Sequence, residues 1–147
     1  MDGFFPVFIP LKGQPVLLIG GGKVALRRAE TLARFGAELT VVAPEILPAF
    51  TPLARCHLRT FRPEDVREGY RLVIAASSDR AVNRTAGERA RALGIPVSVA
   101  DAKEESTFFF PAVIEGGGIV AGLISEGGQD HRLAARRAAE IREMLRK

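Results

Sequence analysis

The chain carries one cysteine, two histidines, one tyrosine and no tryptophan in 147 residues. With Cys56 alone, no internal disulfide framework can form, and a reducing compartment is the natural setting. Only His57 beside it offers a base, so Cys56 reads as a small buried hydrophobe or a partly exposed strand residue rather than a nucleophile. His57, His131 and Cys56 stand at no ligand-like spacing, and no metal site is expected. There is no recognition-helix pattern and no aromatic stacking motif, so nucleic acid is not an expected partner. No apolar run approaches the ~18 residues of a membrane span. The opening MDGFFPVFIP lacks the basic start and small-residue cleavage site of a secretory signal. A cytoplasmic protein without a membrane partner is the expectation. Repeats and low-complexity linkers are also missing.

What is present is a folded composition, 47% hydrophobic and 26% charged, at a length that suits one core rather than two full domains. A formal net charge of +4 favours anionic ligands without choosing among them. Strand-like apolar runs recur at PVLLI (15–19), LTVV (39–42), RLVIAA (71–76) and PVSVA (96–100), in the pattern of strands buried on both faces of a parallel sheet. Lys23 to Phe35 reads as a helix with Val24, Leu32 and Phe35 among its apolar positions. Asp79 to Leu93 reads as another, opened by an acidic cap and closed by Gly94 and Pro96. CHLRTF (56–61) adds a weaker strand before a helix start at Pro63-Glu64-Asp65. This order predicts an α/β fold, a Rossmann-type doubly wound, mostly parallel sheet. After Asp101 the character changes. TFFFPAVIEGGGIVAGLIS (107–125) reads as two extended segments around Glu115–Gly118, followed by a helix over 130–147 that Asp130 can cap. The expected division is a dinucleotide-binding domain over 1–105 and a short extension over 106–147.

Gly20-Gly21-Gly22-Lys23-Val24-Ala25 is G-x-G-x-x-A placed after a predicted strand and opening a predicted helix, the context that gives this pattern its meaning. Gly20 makes the tight turn, Gly22 lets a pyrophosphate approach the backbone, and small Ala25 lets helix and strand pack closely. Free amides and the helix dipole then hold the anion. Lys23 either adds charge to the phosphates or is simply solvated. An acid about 20 residues on ordinarily receives the ribose hydroxyls, but the second strand ends Val41-Val42-Ala43-Pro44-Glu45. Glu45 reaches the ribose from two positions further on, or the Ala43-Pro44 backbone lines the adenosine without a carboxylate and Glu45 is a solvated turn residue. Neither flank carries an arginine for a 2′-phosphate, which favours NAD over NADP.

The segments GGGKVALRRAETLARFGAELTVVAPE, RLVIAASSDRAVN, VSVADAKEESTFFFPAVI and ISEGG together resemble the precorrin-2 dehydrogenase family, the NAD-dependent module of siroheme biosynthesis, from about Phe8 to Gly128. That family oxidises precorrin-2 to sirohydrochlorin, and some members also insert iron. The resemblance implies that Gly21, Gly22, Lys23 and Val24 contact NAD, with Pro44 and Glu45 at the adenosine and Ala76, Ser77, Ser78 and Asn83 along the next cofactor-facing loop. It places Asp101 at the aspartate to which dehydrogenation and iron insertion are ascribed. It sets Thr107, Phe108 and Pro111 against the tetrapyrrole, with Lys103 and arginines of the last helix as cations for its carboxylates, and it implies a homodimer. Position fits Asp101 for that role, because ligands of open α/β sheets lie beyond the carboxyl ends of strands and hydride removal coupled to proton loss calls for a base; from the residues alone it reads first as a turn or capping aspartate before Ala102-Lys103.

The chain departs from the family pattern at Asp130-His131, where Ser-Pro is usual, and family members continue through several more helices. The expectation is NAD-dependent oxidation of precorrin-2. The alternatives are a non-catalytic NAD-binding regulatory module or family remnant, and a dehydrogenase of some other anionic molecule.

Overall fold

A computed structural model describes residues 3–146. It resolves into two compact units, one from Pro10 to Phe108 and one that joins residues up to Ile9 with Phe109 onward. The boundary expected near residue 105 thus lies a few residues later, and the chain's opening segment groups with the second unit.

In the first unit five parallel strands, β1 (Pro15–Ile19), β2 (Glu38–Ala43), β3 (Ala54–Leu58), β4 (Leu72–Ala75) and β5 (Val97–Val99), lie in the order β3-β2-β1-β4-β5. The order reverses between β1 and β4, the switch point at which doubly wound sheets bind ligands. Helix α1 (Lys23–Arg34) joins β1 to β2 and α2 (Arg80–Ala92) joins β4 to β5. Both helices bury a mostly small-residue stripe: Ala25, Ala29 and the larger Leu32 on α1, and Ala86, Gly87, Ala90 and the amide of Asn83 on α2. Leu17 and Ile19 share a cluster with Ala86 and Ala90 of α2, and strand alternation points Val16 and Leu18 the other way. Arg28 of α1 donates to Ser98, which lies between Val97 and Val99 of that same cluster. The helices therefore cover opposite faces, and both faces of β1 are buried, as its unbroken apolar run requires.

Two details differ from the sequence expectation. Pro63-Glu64-Asp65 makes one 3-10 turn rather than a helix, because Val66 turns extended and is fully buried in the core. The strand expected at 56–61 begins two residues earlier, at the sheet edge, and its residues stay largely exposed, Cys56 among them.

The second unit holds the hairpin β6 (Ala112–Gly116) and β7 (Ile119–Leu123), paired antiparallel, and α3 (His131–Leu145). Asp130 caps α3 by accepting the Leu133 N–H at 2.9 Å, and Arg142 donates to the Val113 carbonyl at 2.6 Å. Lys147, expected to close this helix, lies outside the described residues, as do residues 1 and 2. Among the described residues no helix is long and apolar enough to cross a membrane.

Candidate functional site

The three glycines after β1 have three different reasons to be glycine. Gly20 sits at φ +123°, and a Cβ there would overlap the carbonyl oxygen of Ala76 and lie 2.6 Å from its carbonyl carbon. The end of β4 comes this close because the Ala76 N–H donates to Ile19 O at 2.8 Å. At Gly21 a Cβ would collide with the Glu45 carbonyl and lie 2.7 Å from the Ile46 Cα, since the loop after β2 folds over the turn and the Leu47 N–H donates to Gly21 O at 2.9 Å. At Gly22 a Cβ would meet nothing within 4 Å.

Gly22 is the N-cap of α1 in extended conformation, with no side chain capping the helix. Its carbonyl accepts the Leu26 N–H at 2.9 Å, and the amides of Lys23, Val24 and Ala25 belong to the first turn, whose N–H groups have no intrahelical acceptor. Uncapped donors, the positive end of the helix dipole and open space at the switch point together fit a pyrophosphate. Ala25 is fully buried beneath the turn. Val24, expected among the helix's apolar positions, is 43% exposed, because it lies in the first turn on the open side rather than over the sheet.

Pro44 and Glu45 are both exposed on the loop that covers Gly21. Beyond β3, the Arg59 N–H donates to Ala43 O at 3.0 Å, bringing beside the end of β2 an arginine not adjacent to it in sequence. Its guanidinium is already engaged: it forks onto Asp65 at 2.7 and 2.9 Å, and the Arg62 N–H donates to the same carboxylate at 2.8 Å. Hydrogen bonding from Arg59 is the main reason the Asp65 carboxyl is held below its ordinary range, against an opposing effect of burial. A depressed folded value means that the stability from this pair is present above the ordinary carboxylate pKa near 4 and is lost as pH falls through the folded value. Asp65→Asn is expected to lower the melting temperature at pH 7, with the gap to the unmodified protein closing in acid. A gap that stays constant between pH 7 and pH 3 would contradict this.

The loop from Ala76 to Asp79 is set by Asn83, which is fully buried on α2. Its Oδ1 accepts the Ser77 N–H and its Nδ2 donates to Ser77 O, each at 2.9 Å. Both ends of the amide are spent on the backbone of one residue, so Asn83 positions the loop from beneath. Asp79 caps α2 by accepting the Ala81 N–H at 2.9 Å, and Ser77 Oγ accepts the Asp79 N–H at 3.0 Å. Ser78 is exposed and Ala76 and Ser77 are half-buried. Asn83→Ala removes the partners of both the Ser77 N–H and the Ser77 carbonyl and is expected to cost about 2 kcal/mol in unfolding free energy, measurable by denaturant titration. A loss of only a few tenths would show that water replaces the amide.

Asp101 follows β5 at the carboxyl edge of the sheet and is exposed. Its Oδ1 accepts from Arg80 Nη1 at 2.6 Å, while Arg80 Nη2 pairs with Glu105. Arg80 opens α2 beyond the neighbouring strand, and its Nε is buried without a hydrogen-bond partner among the described residues. The loop holding Asp101 is tied back to β5: Ser106 Oγ accepts the Val99 N–H at 2.8 Å, and Thr107 Oγ1 accepts the Val97 N–H at 2.9 Å. Thr107 N–H in turn donates to Val97 O at 2.8 Å. These hydroxyls satisfy backbone groups that edge strand β5 would otherwise leave unpaired, and they fix the carboxylate's loop. Lys103 begins a 3-10 turn within it, and Phe108, half-buried, donates its N–H to Val97 O at 3.3 Å. Pro111 belongs to the second unit and packs at Gly122, where a Cβ would lie 3.3 Å from its ring.

The strand order, the glycine turn and the open helix terminus define a Rossmann-type dinucleotide-binding domain. A family model described as "Putative NAD(P)-binding" matches residues 7–112, and the chain belongs to that family. It is 42% identical over 147 residues to the "Probable multifunctional siroheme biosynthesis protein HemA" of Ruminiclostridium josui, which it matches over 97% of its own length and 28% of that protein's. The siroheme synthase of Nitrosomonas eutropha is 40% identical over 131 residues, 85% of this chain and 27% of that one. The chain thus spans under a third of the length of each of these two relatives. Among solved structures, "SirC, precorrin-2 dehydrogenase" shares the fold with a TM-score of 0.75 at 24% identity, over 94% of this chain and 69% of that one.

Proposed function

We propose that the chain is the NAD-dependent module of a siroheme biosynthesis protein and oxidises precorrin-2 to sirohydrochlorin. The observation that carries the cofactor half of this reading is Gly22, an uncapped helix start with open space where a pyrophosphate fits. The relatives named for siroheme biosynthesis support the substrate half.

Bound NAD supplies the hydride acceptor. The amides of Gly22, Lys23 and Val24 bind its pyrophosphate, Pro44 and Glu45 border the adenosine, and the Ala76–Ser78 loop, held by Asn83, borders the remaining half. Asp101 takes the proton that leaves with the hydride, on the oxygen that Arg80 does not hold. Arg80 and the Ser106 and Thr107 hydroxyls keep that carboxylate in place. Lys103, Thr107 and Phe108 stand on the same loop and are assigned to the tetrapyrrole, and Pro111 to its apolar cover. Exposed Phe5, Phe8, Ile119, Val120 and Met144 of the second unit favour pairing with a second copy as a homodimer. The binding-module alternative draws on one observation: Oδ1 of Asp101 is already engaged by Arg80.

Preference for NAD follows from the loop after β2, which carries no arginine, and from Arg59, whose fork is occupied by Asp65. NAD is expected to bind more tightly than NADP in a fluorescence titration. Tighter binding of NADP would overturn this assignment.

A further inference from the structure

We propose that the first unit carries a second anion site, separate from the glycine turn, which takes a compact divalent oxyanion of the size of phosphate. A cavity of about 180 Å³ lies against the α2 face of the sheet, lined by Leu17, Thr40 and Val42, by Arg55, His57 and Arg59, and by Asp65, Arg67 and Tyr70. That space is worth about six waters, enough for a phosphate and part of its hydration shell.

Its origin lies in how β3 connects to β4. Helix α2 packs on β4 and β5, and the segment that returns from β3 across the same face is short and contains only the turn Pro63–Asp65. The face of β2 and β3 is therefore left without helical cover. Positions facing into a doubly wound sheet's layer are ordinarily apolar. Here Thr40 pairs in register with Arg55 and Val42 with His57, so the period-two alternation of β3 sends Arg55 and His57 into the cavity, with Arg59 just beyond.

The charges do not cancel. Among the described residues Asp65 is the one carboxylate in the lining, and it is spent on Arg59 and the Arg62 N–H. The guanidinium of Arg67 lies 5.5 Å from the centre of the Tyr70 ring, which orients it without neutralising it. Arg55 and Arg67 thus bring two positive charges with fork geometry to one concave space, which Thr40 also lines. Two guanidinium forks match a dianion with several equivalent oxygens better than they match chloride.

The test is a titration of the whole chain with inorganic phosphate at constant ionic strength, followed by amide chemical shifts, with chloride as control. Saturable shifts centred on residues 55–59 and 65–70 are expected at millimolar phosphate, and they should persist in Gly22→Asp. Arg55→Gln with Arg67→Gln should weaken them about tenfold or more, while melting without phosphate stays unchanged. Shifts confined to residues 21–25, or affinity unaltered in the double variant, would overturn the site. Its failure leaves the dinucleotide reading untouched, because neither arginine belongs to the glycine turn.

Discussion

Asp101→Ala is expected to bind NAD as the unmodified chain does and to lose roughly 10²-fold or more in turnover of precorrin-2, the range for loss of a positioned general base. The separation follows from position. The carboxylate stands at the end of β5, whereas the amides proposed to hold the pyrophosphate follow β1, with β4 between them. Arg80 keeps Glu105 as a partner in the variant, so the start of α2 should hold and the loss should fall on kcat. Steady-state kinetics with a parallel NAD titration measures both. Turnover at the unmodified rate would mean that the proton leaves to another group or to water, and that Asp101 is only Arg80's partner.

Gly22→Asp is expected to do the reverse, abolishing NAD binding with the fold intact. The backbone at Gly22 has an ordinary extended conformation and open space around a built Cβ. An aspartate therefore fits, but it caps the helix with its own carboxylate and repels the pyrophosphate. One residue earlier the outcome changes. Gly21→Ala drives a methyl into the backbone of Glu45 and Ile46, which should unfold the turn and cost several kcal/mol. Calorimetric titration and thermal melting distinguish the two losses: Gly22→Asp melting with the unmodified chain, Gly21→Ala well below it. Equal destabilisation by both would contradict the geometry.

The contrast between these neighbours shows what the sequence could carry. Glycine spacing, helix caps at Asp79 and Asp130 and the apolar runs of the strands are local signals, and the fold follows from them. That Gly21 must be glycine depends on a loop two dozen residues away, and the spacing pattern treats it as free. Asn83 had a readable signal, an amide at the spacing of Ala86, Gly87 and Ala90 on the helix's buried stripe, because a buried amide must find partners. Arg80 had none: its pairing with Asp101 spans 21 positions and exists only because β4 and β5 are neighbours. The one-turn fate of Pro63–Asp65 was equally hidden, since it is set by burial of Val66 rather than by the residues of the turn.

The proposed activity couples a dinucleotide at the glycine turn to oxidation of a tetrapyrrole beside Asp101. Anaerobic incubation of the chain with precorrin-2 and NAD, monitored by absorbance, tests it most directly. The account predicts NADH and sirohydrochlorin appearing together in equal amounts, with neither appearing in Gly22→Asp. A chain that binds NAD normally, yet forms neither product, would contradict it and leave a dinucleotide-binding module without dehydrogenase activity.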